Sequence, residues 1–355
     1  MPSHSGDSTI HHPFRVGLTS DFLKPDGASG FGDVGLDLLD GDPRVSYECL
    51  PDYGPDLPAQ VAEEYDALLV MAPRVTAATV DGSKRLAIVA RFGVGYDNID
   101  VDACSRNDVL LSITPDGVRR PVAVSALALL MASSHKLLVK DRLTREGRWN
   151  EKLDHMGTGL TGRTLGLIGL GNIGREILNI ASPLDMRHVA FDPFVSESQA
   201  AESGAELLSL EDLLEQSDFV CVCCALTPDT HHLLNAERLG KMKPTAYLIN
   251  IARGPIVDQL ALTEALSERR IAGAALDVFE NEPIEANDPL LGLDNVILSP
   301  HAIAWSDELF RGIGQAACQS ILDVAWGRNP AHVVNADVLD RPSMQEKLAR
   351  HATQR

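Results

Sequence analysis

Three polar residues stand where apolar runs end. Arg253 closes "AYLINIA", Glu282 lies in "ENEP" just past "ALDVF", and His301 follows "NVILSP". Each run is continuously apolar rather than alternating, the pattern of a strand covered on both faces of a parallel sheet. The carboxyl ends of such strands line one crevice, so residues distant in sequence can converge there. Arginine, carboxylate and histidine together suit hydride exchange with a 2-oxo acid. A guanidinium is always charged and never accepts a hydrogen bond, so Arg253 needs an anion; with Asp258 the nearest acid downstream, the ligand would supply it. The imidazole of His301 would pass a proton to or from the carbonyl oxygen. Glu282 would bond the other ring nitrogen, fixing its orientation and favouring its protonated form. Singly, each has a plainer reading: an arginine paired with a nearby acid, a glutamate capping a loop before Pro283, a structural histidine. The set of three points further.

A second string lies upstream. "LGLIGLGNIGRE" places G-x-G-x-x-G at Gly169, Gly171 and Gly174, after an expected strand and into an expected helix. The first glycine makes the tight turn, the second admits a pyrophosphate against the backbone, and the third lets helix and strand pack closely. The helix N-terminus then faces the phosphates. The next strand, "RHVAFD", ends in Asp192, near the ~20-residue spacing of the carboxylate that holds the adenosine ribose. That acid would repel a 2′-phosphate, so NAD is expected rather than NADP; the plainer reading is a turn residue before Pro193. An earlier glycine cluster, "GASGFGD" at 27–33, lacks the Gly-Lys-Ser/Thr ending of a phosphate loop and reads as a flexible segment near a cleft mouth.

These residues need elements to hold them. From about Arg163 to Pro300, β-rich runs alternate with helical ones, and residues 14–118 repeat the style more weakly. The expected fold is α/β, with two Rossmann-like domains, each a doubly wound parallel sheet. The first domain is expected to be discontinuous, 1–120 with 306–355, and the dinucleotide-binding domain to span 121–305. Two long helices would link them as hinges, one starting at Pro121 and running to about Glu146, the other at 306–327. The tail "RPSMQEKLARHATQR" reads as a mobile polar end.

Composition excludes several classes. A chain of 355 residues with 45% apolar content buries a substantial core, and a formal charge of −19 disfavours nucleic acid and anionic membranes. "MPSHSGDSTIHHPF" has no apolar signal region, and the most hydrophobic stretch, 122–139, is broken by Ser133, Ser134, His135 and Lys136. Three of the six cysteines fall in the strand-like "FVCVCCALTP" and none of the others forms a C-x-x-C pair, which suggests buried thiols, no metal site, and a reducing cytoplasm.

With its motifs in view, the chain resembles the D-isomer-specific 2-hydroxyacid dehydrogenase family from about Phe14 to Val334. The resemblance rests on "RFGVGYDNID" (91–100), "GLGNIG" (169–174), "INIARGPIVD" (249–258), "ALDVFENEP" (275–283) and "SPHAIAW" (299–305), in that order. It implies Arg253, Glu282 and His301 as the catalytic set. Backbone N–H groups of Phe92, Gly93, Val94 and Gly95 would meet the substrate carboxylate. Cofactor contacts would fall at Asn172, Ile173, Asp192, Cys224, Ala225, Ile251, Asp277 and Ala304, beside the glycines. A hinge between domains and a homodimer built on the cofactor domain are also implied. The chain departs from the family at three places. Val70 stands where phosphoglycerate-type members present an arginine, with Arg74 somewhat beyond. Val124 replaces an acid at the hinge-helix entry, and no serine-sensing domain is visible. Arg119 and Arg120, just upstream, offer a contact for a second polar group on the substrate or a solvated pair before a helix.

Glutamate at position 282 argues against formate as substrate, since formate dehydrogenases on this scaffold carry glutamine there. Phosphite oxidation, and a non-catalytic NAD-binding partner of the corepressor kind, share the three residues and stay open. A methyltransferase would need neither His301 nor the Arg253 motif. Side-chain selectivity falls to the 20–33 loop and Trp305.

Overall fold

The computed structural model describes residues 13–24, 26–28 and 30–352. The chain divides into two compact units, one reaching Val118 and resuming at Ser306, the other spanning Arg119–Trp305.

In the first unit, β1 (Phe14–Leu18), β2 (Val45–Cys49), β3 (Ala67–Val70), β4 (Ile88–Arg91) and β5 (Leu110–Ser112) form a parallel sheet in the order β2-β1-β3-β4-β5. The all-apolar "ALLV" of β3 is buried throughout, whereas the polar "VSYEC" of β2 takes the edge. Helix Asp307–Ala325 buries Ile313, Ala317, Ile321 and Val324 at helical spacing. The expected mobile tail is instead a helix, Pro342–Ala352, that buries Met344 and Leu348. Lys347 is buried on the same face, its ammonium donating to the carbonyl oxygens of Leu86 (3.0 Å), Asn107 (3.1 Å) and Asp108 (2.8 Å). A lysine at a core-facing position disguised the helix as a polar tail; residues 353–355 lie outside the described residues. The 27–33 cluster is described only in part, positions 25 and 29 being outside the described residues.

The second unit carries β6 (Thr164–Ile168), β7 (Arg187–Phe191), β8 (Glu206–Leu207), β9 (Phe219–Val222), β10 (Tyr247–Asn250), β11 (Gly273–Leu276) and β12 (Val296–Leu298). All are parallel, in the order β12-β11-β10-β9-β6-β7-β8. Successive side chains of β9 show why the runs are continuously apolar. Val220 and Val222 pack with Leu213, Leu248 and Leu266 on one face, and Cys221 with Leu130, Leu167 and Ile177 on the other. Each leucine or isoleucine buried this way contributes ~1.5–3 kcal/mol. Strand order reverses between β6 and β9, the switch point at which such sheets bind ligands. The two-residue β8 left no sequence signal.

The chain enters this unit within helix Pro115–Ser134, which starts six residues before the expected Pro121. It also stops early: Lys136 takes the left-handed conformation (φ 51°), and Leu137–Arg145 continues as a separate helix after a 58° bend. Among the described residues no single helix is long and apolar enough to cross a membrane.

Candidate active site

The nucleotide end is made of backbone. Gly169, just past β6, has φ 100°, and a Cβ there would stand 2.7 Å from the Cys224 nitrogen and 2.8 Å from its Cα. A Cβ at Gly174 would lie 2.4 Å from the Gly169 oxygen. These two glycines let the turn out of β6, the chain leaving β9 and helix Asn172–Ala181 come together. At Gly171 a Cβ would meet nothing within 4 Å. Gly171 is also the N-cap of that helix and supplies no side-chain cap, so the N–H groups of Asn172 and Ile173 point outward beside open space. Asp192 follows β7, and its carboxylate accepts from the N–H of Leu170 (2.8 Å) and of Phe194 (2.9 Å). It therefore serves the turn, and its charge stands beside the glycine turn. Open backbone, helix N–H groups and an adjacent carboxylate fit a dinucleotide. Cys224 and the exposed Ala225 follow β9; burial pushes the Cys224 thiol up to about 11, so it stays a thiol. The Cys223 thiol donates to the Gly169 oxygen at 3.0 Å.

The other end is made of side chains. Asn250, buried at the close of β10, accepts from the Ala252 N–H (3.1 Å) and donates to the Arg253 oxygen (3.0 Å), wrapping the turn through Ile251. Half-buried Arg253 donates to the Ala252 oxygen at 2.8 Å. A Cβ at Gly254 would fall 1.9 Å from the Phe279 carbonyl carbon, so the loops after β10 and β11 touch backbone to backbone. In the second of these loops Glu282 accepts from the Phe279 N–H at 3.0 Å, and its other oxygen lies 2.7 Å from His301 Nδ1. Burial works to raise the Glu282 carboxyl, but His301, the Phe279 N–H and Arg253 together hold it below its ordinary value.

His301 itself is left-handed, φ 54°, an unusual backbone for a residue with a Cβ. Buried Asp277 holds the loop that imposes it, accepting from the N–H groups of Ala302 (2.9 Å) and Ile303 (3.0 Å). Burial pushes the Asp277 carboxyl above its ordinary value against those donors. Ala304 is half-buried at the end of this loop and Trp305 exposed. Since Glu282 engages Nδ1, Nε2 is the ring nitrogen left for another partner.

In the first unit the loop after β4 is only partly available. The Phe92 N–H donates to Val70 (2.8 Å) and the Gly93 N–H to the Thr114 hydroxyl (3.1 Å). The Val94 and Gly95 N–H groups make no hydrogen bond among the described residues, so they are the two of the expected four able to meet an anion. The Arg91 guanidinium donates to the Phe92 oxygen at the start of this loop. Val70 is fully buried, and Arg74 is paired with Asp56 (2.5 and 2.9 Å). Arg120 reaches Glu176 at 2.8 Å, with Arg119 at 4.0 Å from the same carboxylate. Both arginines thus lie against an internal anion, Glu176, a partner that neither of their two expected readings named. Asn250, Gly254, His232, Gln259 and Glu280 were not singled out from the sequence. A polar residue closing an apolar strand was the one available signal, at Asn250.

Residues 127–302 match the family described as D-isomer specific 2-hydroxyacid dehydrogenase, NAD binding domain. A glyoxylate reductase of Korarchaeum cryptofilum is 39% identical over 281 residues, 78% of this chain and 85% of that protein. A Thermus thermophilus protein of known crystal structure is 32% identical, with TM-score 0.79 over 90% of this chain and 99% of that one. A D-lactate dehydrogenase from Aquifex aeolicus, solved with NAD and lactic acid, is 25% identical, with TM-score 0.77 over 90% and 99% of the two chains.

Proposed function

The chain belongs to the D-isomer specific 2-hydroxyacid dehydrogenase family, oxidoreductases, with NAD as its cofactor, and on that footing we propose that it interconverts a small 2-oxo acid and the matching D-2-hydroxy acid. Glyoxylate and hydroxypyruvate are the substrate type in view. The observation that carries this reading is the 2.7 Å bond between His301 Nδ1 and Glu282, at the strand ends next to Arg253.

Bound NADH supplies the hydride. Arg253 holds and polarises the anionic substrate through its planar fork. His301 delivers the Nε2 proton to the carbonyl oxygen, or withdraws it in the reverse direction. Glu282, ionised below its ordinary range, fixes the ring and balances its charge. Val94 and Gly95 add N–H donors for the carboxylate. Gly169, Gly171, Asn172, Ile173 and Gly174 would hold the cofactor's pyrophosphate and Asp192 its ribose. Cys224, Ala225, Ile251, Asp277 and Ala304 would make its remaining contacts. In this reading the first unit is the substrate domain and works in a reducing cytoplasm. A homodimer through the cofactor domain is supported by an exposed apolar set within 137–156, namely Leu137, Leu138, Trp149, Leu153 and Met156.

The test is NADH oxidation with glyoxylate, hydroxypyruvate, pyruvate and phenylpyruvate, each repeated with NADPH. Turnover of at least one, faster with NADH, is the expected result; silence with all four overturns the proposal.

A further inference from the structure

The second unit holds another histidine–carboxylate pair, two positions from Glu282. His232 Nε2 lies 2.6 Å from Glu280 Oε1. The second oxygen of Glu280 accepts from the Gln259 N–H at 3.3 Å, while the Gln259 side-chain oxygen accepts from the Glu280 N–H at 3.0 Å. Gln259 is fixed in turn by donating to Asp288 at 2.8 Å. At the other end, His232 has φ 49° and its N–H donates to the Pro255 oxygen at 2.8 Å. Leu234 continues alongside: its N–H meets the Ile256 oxygen (3.1 Å) and its oxygen accepts from the Asp258 N–H (3.1 Å). One hydrogen-bonded chain therefore runs from the segment 232–234, stitched along the Arg253 loop, to Glu280 in the loop of Glu282.

We infer that His232, Glu280 and Gln259 form a strut that sets the spacing between the Arg253 turn and the Glu282 loop. They are positioning residues, since none of them is placed among the reacting groups. Gly254 shows what the strut works against: with its backbone pressed on Phe279 and Glu280, the two loops have no side chain between them to set their separation. The loops could slide along that contact, and the strut is what crosses it. His231, His232 and Glu280 do gather their ligand atoms within 4.8 Å, as metal ligands would. The two rings, however, are stacked 4.1 Å apart at 26°, which aims their nitrogens side by side rather than at one point. Both Glu280 oxygens are also engaged already. Hydrogen bonding, not coordination, is the chemistry of this cluster.

The catalytic consequence rests on the proposed function; the bracing of the loops does not. Misplacement by about 1 Å is enough to cost ~100-fold in rate, so partial loosening should cost about tenfold. Glu280→Ala and His232→Ala are each expected to lower kcat about tenfold and raise KM for the 2-oxo acid, with NADH affinity by fluorescence titration unchanged. The double variant should be no worse than the poorer single, because both residues belong to one strut. Glu280→Gln, which keeps an acceptor for Gln259 and a donor for His232, should restore most of the activity. Independently of turnover, amide hydrogen exchange should quicken in 254–257 and 279–282 of the alanine variants and stay unchanged in 169–174. Wild-type kinetics and exchange in Glu280→Ala, or losses that simply add, overturn the strut. If the wild-type protein reduces no 2-oxo acid, the functional reading fails and the exchange measurement still decides this one.

Discussion

The carboxyl edge of the seven-stranded sheet is built in two different ways. Around β6, β7 and β9 the working parts are backbone. Two glycines remove a Cβ where three segments meet, a third leaves the approach to a helix N-terminus open, and one carboxylate braces the turn. Around β10, β11 and β12 the working parts are side chains, and each depends on a neighbour. Asn250 shapes the Arg253 turn, Asp277 holds the His301 loop in a left-handed conformation, and Glu282 fixes the imidazole. On the proposed function the difference separates two jobs: the first half would bind by geometry and the second act by protonation. Damage to one should leave the other standing.

The largest test of that separation is His301→Ala. Turnover should fall roughly 100-fold or more, the usual share of a general acid, while the dissociation constant for NADH stays within twofold of wild type. A matching loss of NADH affinity would mean that the two halves are not independent. Arg253→Lys should also cut kcat/KM for the 2-oxo acid, by about tenfold or more, since an ammonium cannot reproduce the planar fork.

Glu282→Gln sharpens the point through charge. The carboxylate is held below its ordinary value by His301 and its neighbours, so it is ionised throughout the working range. Glutamine keeps the shape and an acceptor for the Phe279 N–H but discards the charge, so kcat for 2-oxo acid reduction should fall about tenfold with NADH affinity unchanged. A kcat equal to that of the wild type would assign Glu282 to orientation alone. Gly171→Ala is the mirror experiment. Nothing among the described residues opposes a methyl there, so melting should be unchanged, yet on the proposed function the methyl would occupy the pyrophosphate's approach. NADH affinity should drop about tenfold, equivalent to 1.4 kcal/mol, with kcat at saturating cofactor preserved.

The same difference decides what the sequence discloses. A backbone-built site leaves a short string, because only glycine tolerates the contacts at 169 and 174, and that string was legible at once. Continuously apolar runs likewise disclosed the strands that carry the site. A side-chain site leaves scattered single residues. Arg253, Glu282 and His301 were legible because each lies three to six residues past the end of a strand. The His232–Glu280 bond was not, since 48 positions separate its partners and His232 follows no apolar run. Helix limits failed for local reasons. Pro121 looks like a helix start, yet Pro115 begins the helix, and the left-handed Lys136 breaks what the apolar pattern carries through. Lys347 concealed the last helix because its ammonium finds three carbonyl oxygens in the core instead of solvent.

Asp192 is the residue of the nucleotide half whose charged side chain is given a ligand-binding role in the proposed function, and so it is the place where the comparison can be broken most finely. Its carboxylate braces Leu170 and Phe194, and on the proposed function it would also face the 2′-position of the ribose. Asp192→Ala removes both effects. Loss of the brace should weaken NADH and NADPH alike, whereas loss of the charge relieves only the 2′-phosphate. The ratio of kcat/KM for the two cofactors, rather than either value alone, isolates the ribose role, and it should fall about tenfold, the size of one charge interaction at a partly exposed site. Asp192→Asn keeps an acceptor for a backbone N–H and discards the charge, so it should lower the ratio as far while sparing more of the absolute rate. A ratio unchanged in both variants would make Asp192 a turn residue only, and the nucleotide half would then be backbone throughout.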